Sequence, residues 1–179
     1  MSAYQVLPNY TYEDYLLWEG RWEIIHGIPY AMSPMPSPRH QRLAGRIHSL
    51  FLNTLTKNDK CQCQVYQPID LKINEHTVVN PDILIVCKPI MKQFLDFPPA
   101  LVVEILSPSS EMKDRYTKFQ LYETFLIPYY IIIDPEAESV EIYGLNGAKK
   151  YELVSDPNAL LSLMEDCLFT PDWSNVFAE

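Results

Sequence analysis

The sequence predicts a mixed α/β (α+β) domain with a central mixed β-sheet flanked by helices, and three observations carry this. Apolar runs of strand length come consecutively instead of alternating strictly with helices, which argues against a doubly wound sheet. Two segments show apolar stripes at helical spacing. The chain, 179 residues of 47% hydrophobic content, is enough for one domain, 1-179, to bury its own core.

Thr11 to Glu19 opens on a capping threonine and sets Tyr12, Tyr15, Leu16 and Glu19 at helical spacings, predicting a short helix that ends at Gly20. The period then changes. Arg21 to His26 and Ile28 to Met32, hinged at Gly27, read as a hairpin, and Ser33-Pro34-Met35-Pro36 excludes regular structure after it. Ser37-Pro38 supplies a hydroxyl cap and a first-turn proline to a second helix, whose stripe is Leu43, Ile47, Leu50, Phe51 and Leu55. Its other face carries Arg39, His40, Arg42, Arg46 and His48, the densest positive charge in the chain. That face is either solvated or turned toward phosphate.

Cys61 to Leu71 alternates apolar and polar residues, Thr77 to Cys87 is a more apolar extended run, and Asn74-Glu75-His76 turns between them. Pro98-Pro99 halts the chain before Ala100 to Leu106, the continuous apolar run of a strand covered on both faces. Glu111 to Leu126 forms a further amphipathic helix, stopped by Pro128. Tyr129 to Ile133 is a buried strand closed by Asp134-Pro135. Val140 to Tyr143 and Lys150 to Val154 flank Gly144 to Gly147 as a C-terminal hairpin, and Trp173 and Phe177 anchor a short closing segment. Pro98-Pro99 and Ser33 to Pro36 read as loops over a site.

No run approaches the roughly 18 uncharged apolar residues of a membrane span, and Met1 to Pro8 lacks a basic region followed by an apolar one. A soluble, cytoplasmic protein without membrane contact is expected. Cys61, Cys63, Cys87 and Cys167 complete no zinc-ligand set. They read as packing groups and unpaired thiols, in keeping with a reducing cytoplasm. The net charge of −9 opposes non-specific attraction to a polyanion, though clustered carboxylates suit a magnesium site and a local basic patch can still face phosphate.

Two acids stand out. Asp82 follows Pro81 at the start of one apolar strand, and Glu104 interrupts another 22 residues later. Carboxylates on neighbouring strands offer the hard oxygens that magnesium takes, and a backbone carbonyl such as that of Ile105 can add to them. An acid in a Pro-Asp turn is the structural alternative for Asp82. Glu104, among Leu101, Val102, Val103, Ile105 and Leu106, costs several kcal/mol to desolvate unless it is paired or bound to metal.

The strings Arg21-Trp-Glu-Ile-Ile-His-Gly27, Met32-Ser-Pro34 with Ser37-Pro-Arg-His-Gln41, Val79-Asn-Pro-Asp82, Leu101-Val-Val-Glu-Ile-Leu-Ser-Pro-Ser109 and Asp114-Arg-x-x-Lys118, ending in Ile133-Asp-Pro135, resemble the bacterial Uma2 family. The resemblance runs from about Thr11 to the final hairpin, and it is the ordered set that is specific. The family is similar to the restriction-endonuclease-like PD-(D/E)XK superfamily, which implies that fold and a magnesium-dependent centre, with manganese as a substitute ion, acting on DNA phosphodiesters.

The resemblance assigns the metal to Asp82 and Glu104. The superfamily lysine belongs two residues after the glutamate, where this chain has Leu106; the family pattern moves it to the next helix and points to Lys118. Pairing with Asp114 four residues earlier is the plain alternative. Glu23 matches an early acid implied as a third site carboxylate, and His40 and Gln41 match a helix start that contacts substrate or water, beside Arg39. Tyr129 replaces an acid expected at the entry to the following strand. A metal-dependent endodeoxyribonuclease is the leading expectation. Against it stands a non-catalytic nucleic-acid-binding or homodimeric interaction module keeping the fold, and a third reading is phosphate-ester chemistry on a small molecule.

Overall fold

The computed structural model describes residues 7–32 and 35–178. Met1 to Val6, which bear on the secretion expectation, and Ser33 and Pro34 of the expected loop over the site lie outside them.

A capping box between Thr11 and Asp14 starts α1 (Tyr12–Tyr15), which is shorter than the helix expected to reach Gly20. The hairpin is as expected: β1 (Trp22–Ile25) and β2 (Ile28–Ala31) pair antiparallel. His26 and Gly27 between them take positive φ of 53° and 77°, the combination that a two-residue turn needs to match strand twist. Ser37 accepts the His40 N–H to cap α2 (Pro38–Leu55), whose Leu43, Ile47, Phe51 and Leu55 are buried.

Each of the two long strands expected between Cys61 and Cys87 is divided in two. β3 (Gln64–Tyr66) and β4 (Leu71–Asn74) flank Pro68, while β5 (Thr77–Val79) and β6 (Ile83–Val86) flank Pro81. Proline donates no ladder hydrogen bond, and at each break the chain passes from one sheet to another. β4 and β5 join the first hairpin in a four-stranded sheet of order β2-β1-β5-β4. β3 and β6 join β7 (Leu101–Ile105), β8 (Tyr129–Asp134), β9 (Ser139–Leu145) and β10 (Tyr151–Leu153) in a six-stranded sheet of order β10-β9-β8-β7-β6-β3. Only the β7 and β8 pair in it is parallel, so the central sheet is mixed, and β9 with β10 is the expected hairpin.

Side-chain alternation along the strands splits the core. Ile83, Ile85, Leu101, Val103, Ile105, Ile131 and Ile133 face α2. Leu84, Val86, Val102, Tyr130 and Ile132 face Leu121 and Tyr122 and the apolar side of the four-stranded sheet. One face of the central sheet is therefore covered by a second sheet as well as by a helix.

Between β7 and β8 the chain is helical, but not as one regular α-helix: Lys113–Lys118 is a π-helical turn that continues into α3 (Phe119–Thr124). The closing segment also holds more than two anchors. β11 (Leu161–Met164) and β12 (Cys167–Phe169) form a small hairpin, and the Phe51 ring meets those of Phe169 and Trp173 edge-on at 5.1 and 5.8 Å.

The cysteines are not free thiols. Cys61 is bonded to Cys167 and Cys63 to Cys87, partners 106 and 24 residues apart that only the packing of β12 and the end of β6 brings together. The inference from unpaired thiols to a reducing compartment falls with them. Among the described residues no helix is long and apolar enough to cross a membrane.

Candidate active site

Antiparallel register sets Ile83 opposite Val103 and Leu84 opposite Val102; one residue further, Asp82 stands across from Glu104. Asp82 Oδ2 accepts the Ile105 backbone N–H at 2.8 Å and lies 3.2 Å from His40 Nε2, delivered by the first turn of α2. The contact of Ile105 with Asp82 is thus through its N–H, and the side chain of Asp82 is held at the strand edge facing a cleft.

Glu104 shares a face of β7 with Val102 and is 3% exposed. Its Oε1 accepts hydrogen bonds from Lys118 Nζ at 2.8 Å and from the Tyr122 hydroxyl at 2.6 Å. Lys118 Nζ also lies 2.8 Å from Glu23 Oε1 and 3.5 Å from Asp114 Oδ1, and Lys118 and Asp114 are both 2% exposed. This acid and this lysine, four residues apart, share the inward side of the Lys113–Lys118 turn, whose π winding is of a kind found often at functional sites. Leu106 is buried in the apolar cluster on the same side of the sheet, so the amine comes from the helix.

Glu23 is wholly buried behind Lys118. Its Oε1 accepts the Asn80 backbone N–H at 3.0 Å, and its Oε2 accepts from the Lys113 ammonium. Burial would push this carboxyl up, but Lys118 and Lys113 outweigh it and hold it at about 2. Glu104 goes the other way. Burial pushes it well above the usual carboxylate range, Lys118 pulls against this, and Asp114, Asp82 and Glu23 add to the rise. Asp114 is raised too, by burial above all. Lys118 is held well above its ordinary value because Glu104, Glu23 and Asp114 outweigh its desolvation, so it is an ammonium.

Four carboxyl groups, Glu23, Asp82, Glu104 and Asp114, thus face the two ammoniums of Lys113 and Lys118 and the His40 ring. Among the described residues only Oδ2 of Asp82 and only Oε1 of Glu104 are engaged by hydrogen bonds, and Asp114 Oδ1 is buried without one. A surplus of hard carboxyl oxygen with one unengaged oxygen on each of Asp82 and Glu104 fits a divalent cation such as magnesium, whose charge would favour the ionised form of Glu104. No three His, Cys, Asp or Glu side chains among the described residues form a metal-holding group by themselves. The fit is to an ion that takes two carboxylates and completes its shell with water and phosphate oxygen.

Asp82, Glu104, Ile105 and Lys118 line a cleft of about 520 Å³ with Arg21, Arg39, His40, Lys113 and the Ser107 to Ser110 turn. Arg39 stands on its rim, paired with Glu136 at 3.2 Å and Glu138 at 3.4 Å. Gln41 is exposed and absent from the lining: one residue advances an α-helix by about 100°, so the turn that aims His40 inward aims Gln41 away. Of the basic face of α2, only Arg39 and His40 reach the cleft, while Arg46 donates to the backbone oxygens of Val176 and Ala178. Met35 and Pro36 also line the cleft, whereas Pro98 and Pro99 do not. Tyr129 is clear of the site; its hydroxyl accepts the Ser162 N–H.

Sequence reasoning passed over Tyr122, Lys113 and Asn80. Tyr122 had a usable signal, since it lies one helical turn after Lys118. Nothing local marks the Asn80 backbone N–H as a partner of Glu23.

The sequence profile of the Uma2 family, described as "Putative restriction endonuclease", matches residues 12–174. The "Uncharacterized protein slr1290" of Synechocystis sp. strain PCC 6803 is 34% identical over 150 residues, covering 78% of this chain and 76% of its own. A solved structure from Anabaena variabilis ATCC 29413, named as a putative nuclease belonging to DUF820, shares the fold with a TM-score of 0.70 at 17% identity, over 94% of this chain and 97% of that one.

Proposed function

We propose that this chain, which belongs to the Uma2 family, is an endonuclease that hydrolyses DNA phosphodiester bonds with a magnesium or manganese ion held by Asp82 and Glu104. The observation that carries the reading is the meeting of these two carboxylates, across adjoining strands at the wall of one cleft, with an ammonium 2.8 Å from Glu104. A bound divalent ion would acidify water and offset the negative charge gathering on phosphate.

The chain's own groups supply the rest. Lys118 stays cationic beside Glu104 and lowers the cost of charge developing on the phosphate oxygens. Ile105 N–H and His40 hold Asp82 in place, and Glu23 with Asn80 and Lys113 fixes Lys118 from behind. Arg39 and Arg21, on the cleft wall, are placed to meet a phosphate backbone.

Calorimetric titration with magnesium and manganese of the parent, Asp82→Ala and Glu104→Gln tests the site without choosing a DNA. Saturable binding lost in both folded variants, followed by cleavage of single- or double-stranded DNA by the parent alone, is the expected result. Identical traces from all three proteins, with no DNA-dependent cleavage, would overturn it. A second reading, a nucleic-acid-binding or dimeric module without catalysis, draws on the pairing of Lys118 with Glu104 and Glu23. It predicts that Glu104→Gln binds DNA as the parent does and that neither cuts.

A further inference from the structure

The four sulfurs, independently of the cleft, form one cluster. The Cys63 and Cys167 sulfurs, each in a different disulfide, are 3.6 Å apart. These two are the buried members, 5% and 0% exposed, whereas Cys61 and Cys87 are only partly buried. Each disulfide therefore joins a partly buried cysteine to a buried one, and the sulfurs of the buried two face each other.

We propose that the two disulfides act as one thiol–disulfide exchange site for a dithiol reductant, in which uptake of two electrons leaves Cys63 bonded to Cys167 and frees Cys61 and Cys87. A thiolate of the dithiol attacks the sulfur of Cys87, the less buried partner, and the bond to Cys63 breaks with its electron pair on Cys63. The Cys63 thiolate attacks Cys167 across the 3.6 Å contact, and Cys61 leaves as a thiolate that takes a proton. The second thiol of the dithiol then displaces Cys87, so the dithiol ends as its own disulfide and the protein carries two thiols and one disulfide. Attack at Cys61 runs through the same contact in the opposite sense: Cys167 is expelled, attacks Cys63 and releases Cys87. The two routes converge on one product because access chooses the outer sulfurs and proximity chooses the inner pair. In that product the cross-link leaves the end of β6 and ties the segment before β3 to β12.

Limited dithiothreitol followed by alkylation and peptide mapping by mass spectrometry decides the matter. The expected half-reduced protein carries labels on Cys61 and Cys87 and a Cys63 to Cys167 bond. Labels on Cys63 with Cys87, or on Cys61 with Cys167, would overturn the proposal, as would a passage from no labels to four without a doubly labelled stage, or four labels on the untreated protein. Cys87→Ser is an independent test, since it leaves a Cys63 thiol beside the other disulfide. Without any reductant the label should be shared between Cys63 and Cys61, and a label confined to Cys63 would count against exchange.

Discussion

Lys118 Nζ lies 2.8 Å from Glu104 Oε1 in a pair almost wholly withdrawn from solvent, yet 14 residues separate the two. The helical segment after β7 supplies this cation, while Leu106, two positions after the acid and just past the end of β7, completes the core.

Removing this ammonium leaves Glu104 and Asp114 buried without their paired cation and Glu23 with Lys113 alone. Lys118→Met should lower stability by roughly 3 to 5 kcal/mol, as expected when one partner of a buried ion pair is deleted. Urea unfolding would show a lower midpoint at unchanged slope. A midpoint within error of the parent would mean that the network contributes nothing to the fold.

Glu104→Gln keeps the shape and discards a carboxyl that burial already pushes upward. Lys118 keeps Glu23 and Asp114 as counter-charges, so stability should fall by less than for Lys118→Met, while magnesium binding disappears and DNA cleavage falls on the order of 100-fold or more. Unfolding and cleavage measured on one preparation separate the two effects.

Glu23 sets a pH dependence. Its carboxyl is held at about 2 in the fold against an ordinary 4.5. A depressed folded-state value stabilises the protein above the unfolded-state value, and that contribution is lost as the pH falls through the window from 4.5 to about 2. The gap is worth about 3 kcal/mol. The stability difference between the parent and Glu23→Gln should therefore shrink as the pH falls through that window, as followed by urea unfolding at several pH values. A difference constant across it would show that Glu23 does not carry this linkage.

Gly27→Ala is expected to cost at least about 1 kcal/mol. The position has φ of +77°, and an added Cβ would come within 2.8 Å of the Asn9 backbone. Since the turn sets the register that carries Glu23, thermal unfolding should drop for Gly27→Ala and hold for alanine at the exposed Gly147, where nothing lies within 4 Å.

Arg39→Ala should leave stability within about 1 kcal/mol, because its partners Glu136 and Glu138 are exposed and such pairs contribute little. If the cleft takes DNA, the same substitution weakens binding and reduces the salt dependence of log K by about one phosphate contact. An unchanged salt slope would remove Arg39 from the interface.

What the sequence determined by itself is what neighbours within a few residues decide. The Ser37 cap and the spacing of Leu43, Ile47, Phe51 and Leu55 specify α2; the apolar run from Leu101 to Leu106, interrupted only by Glu104, specifies a strand covered on both sides; Gly27 specifies a turn. The chemical oddity of an acid inside that run marks Glu104 without any partner in view. Tertiary structure decided the pairings. The passage between sheets at Pro68 and Pro81, the seating of β11 and β12 on α2, the meeting of Lys118 with Glu104 and Glu23, and the joining of Cys61 to Cys167 all depend on groups brought close from distant parts of the chain. Local periodicity records which face of an element is apolar. It holds no record of which distant group will lie against that face, because that is settled by packing all the faces at once.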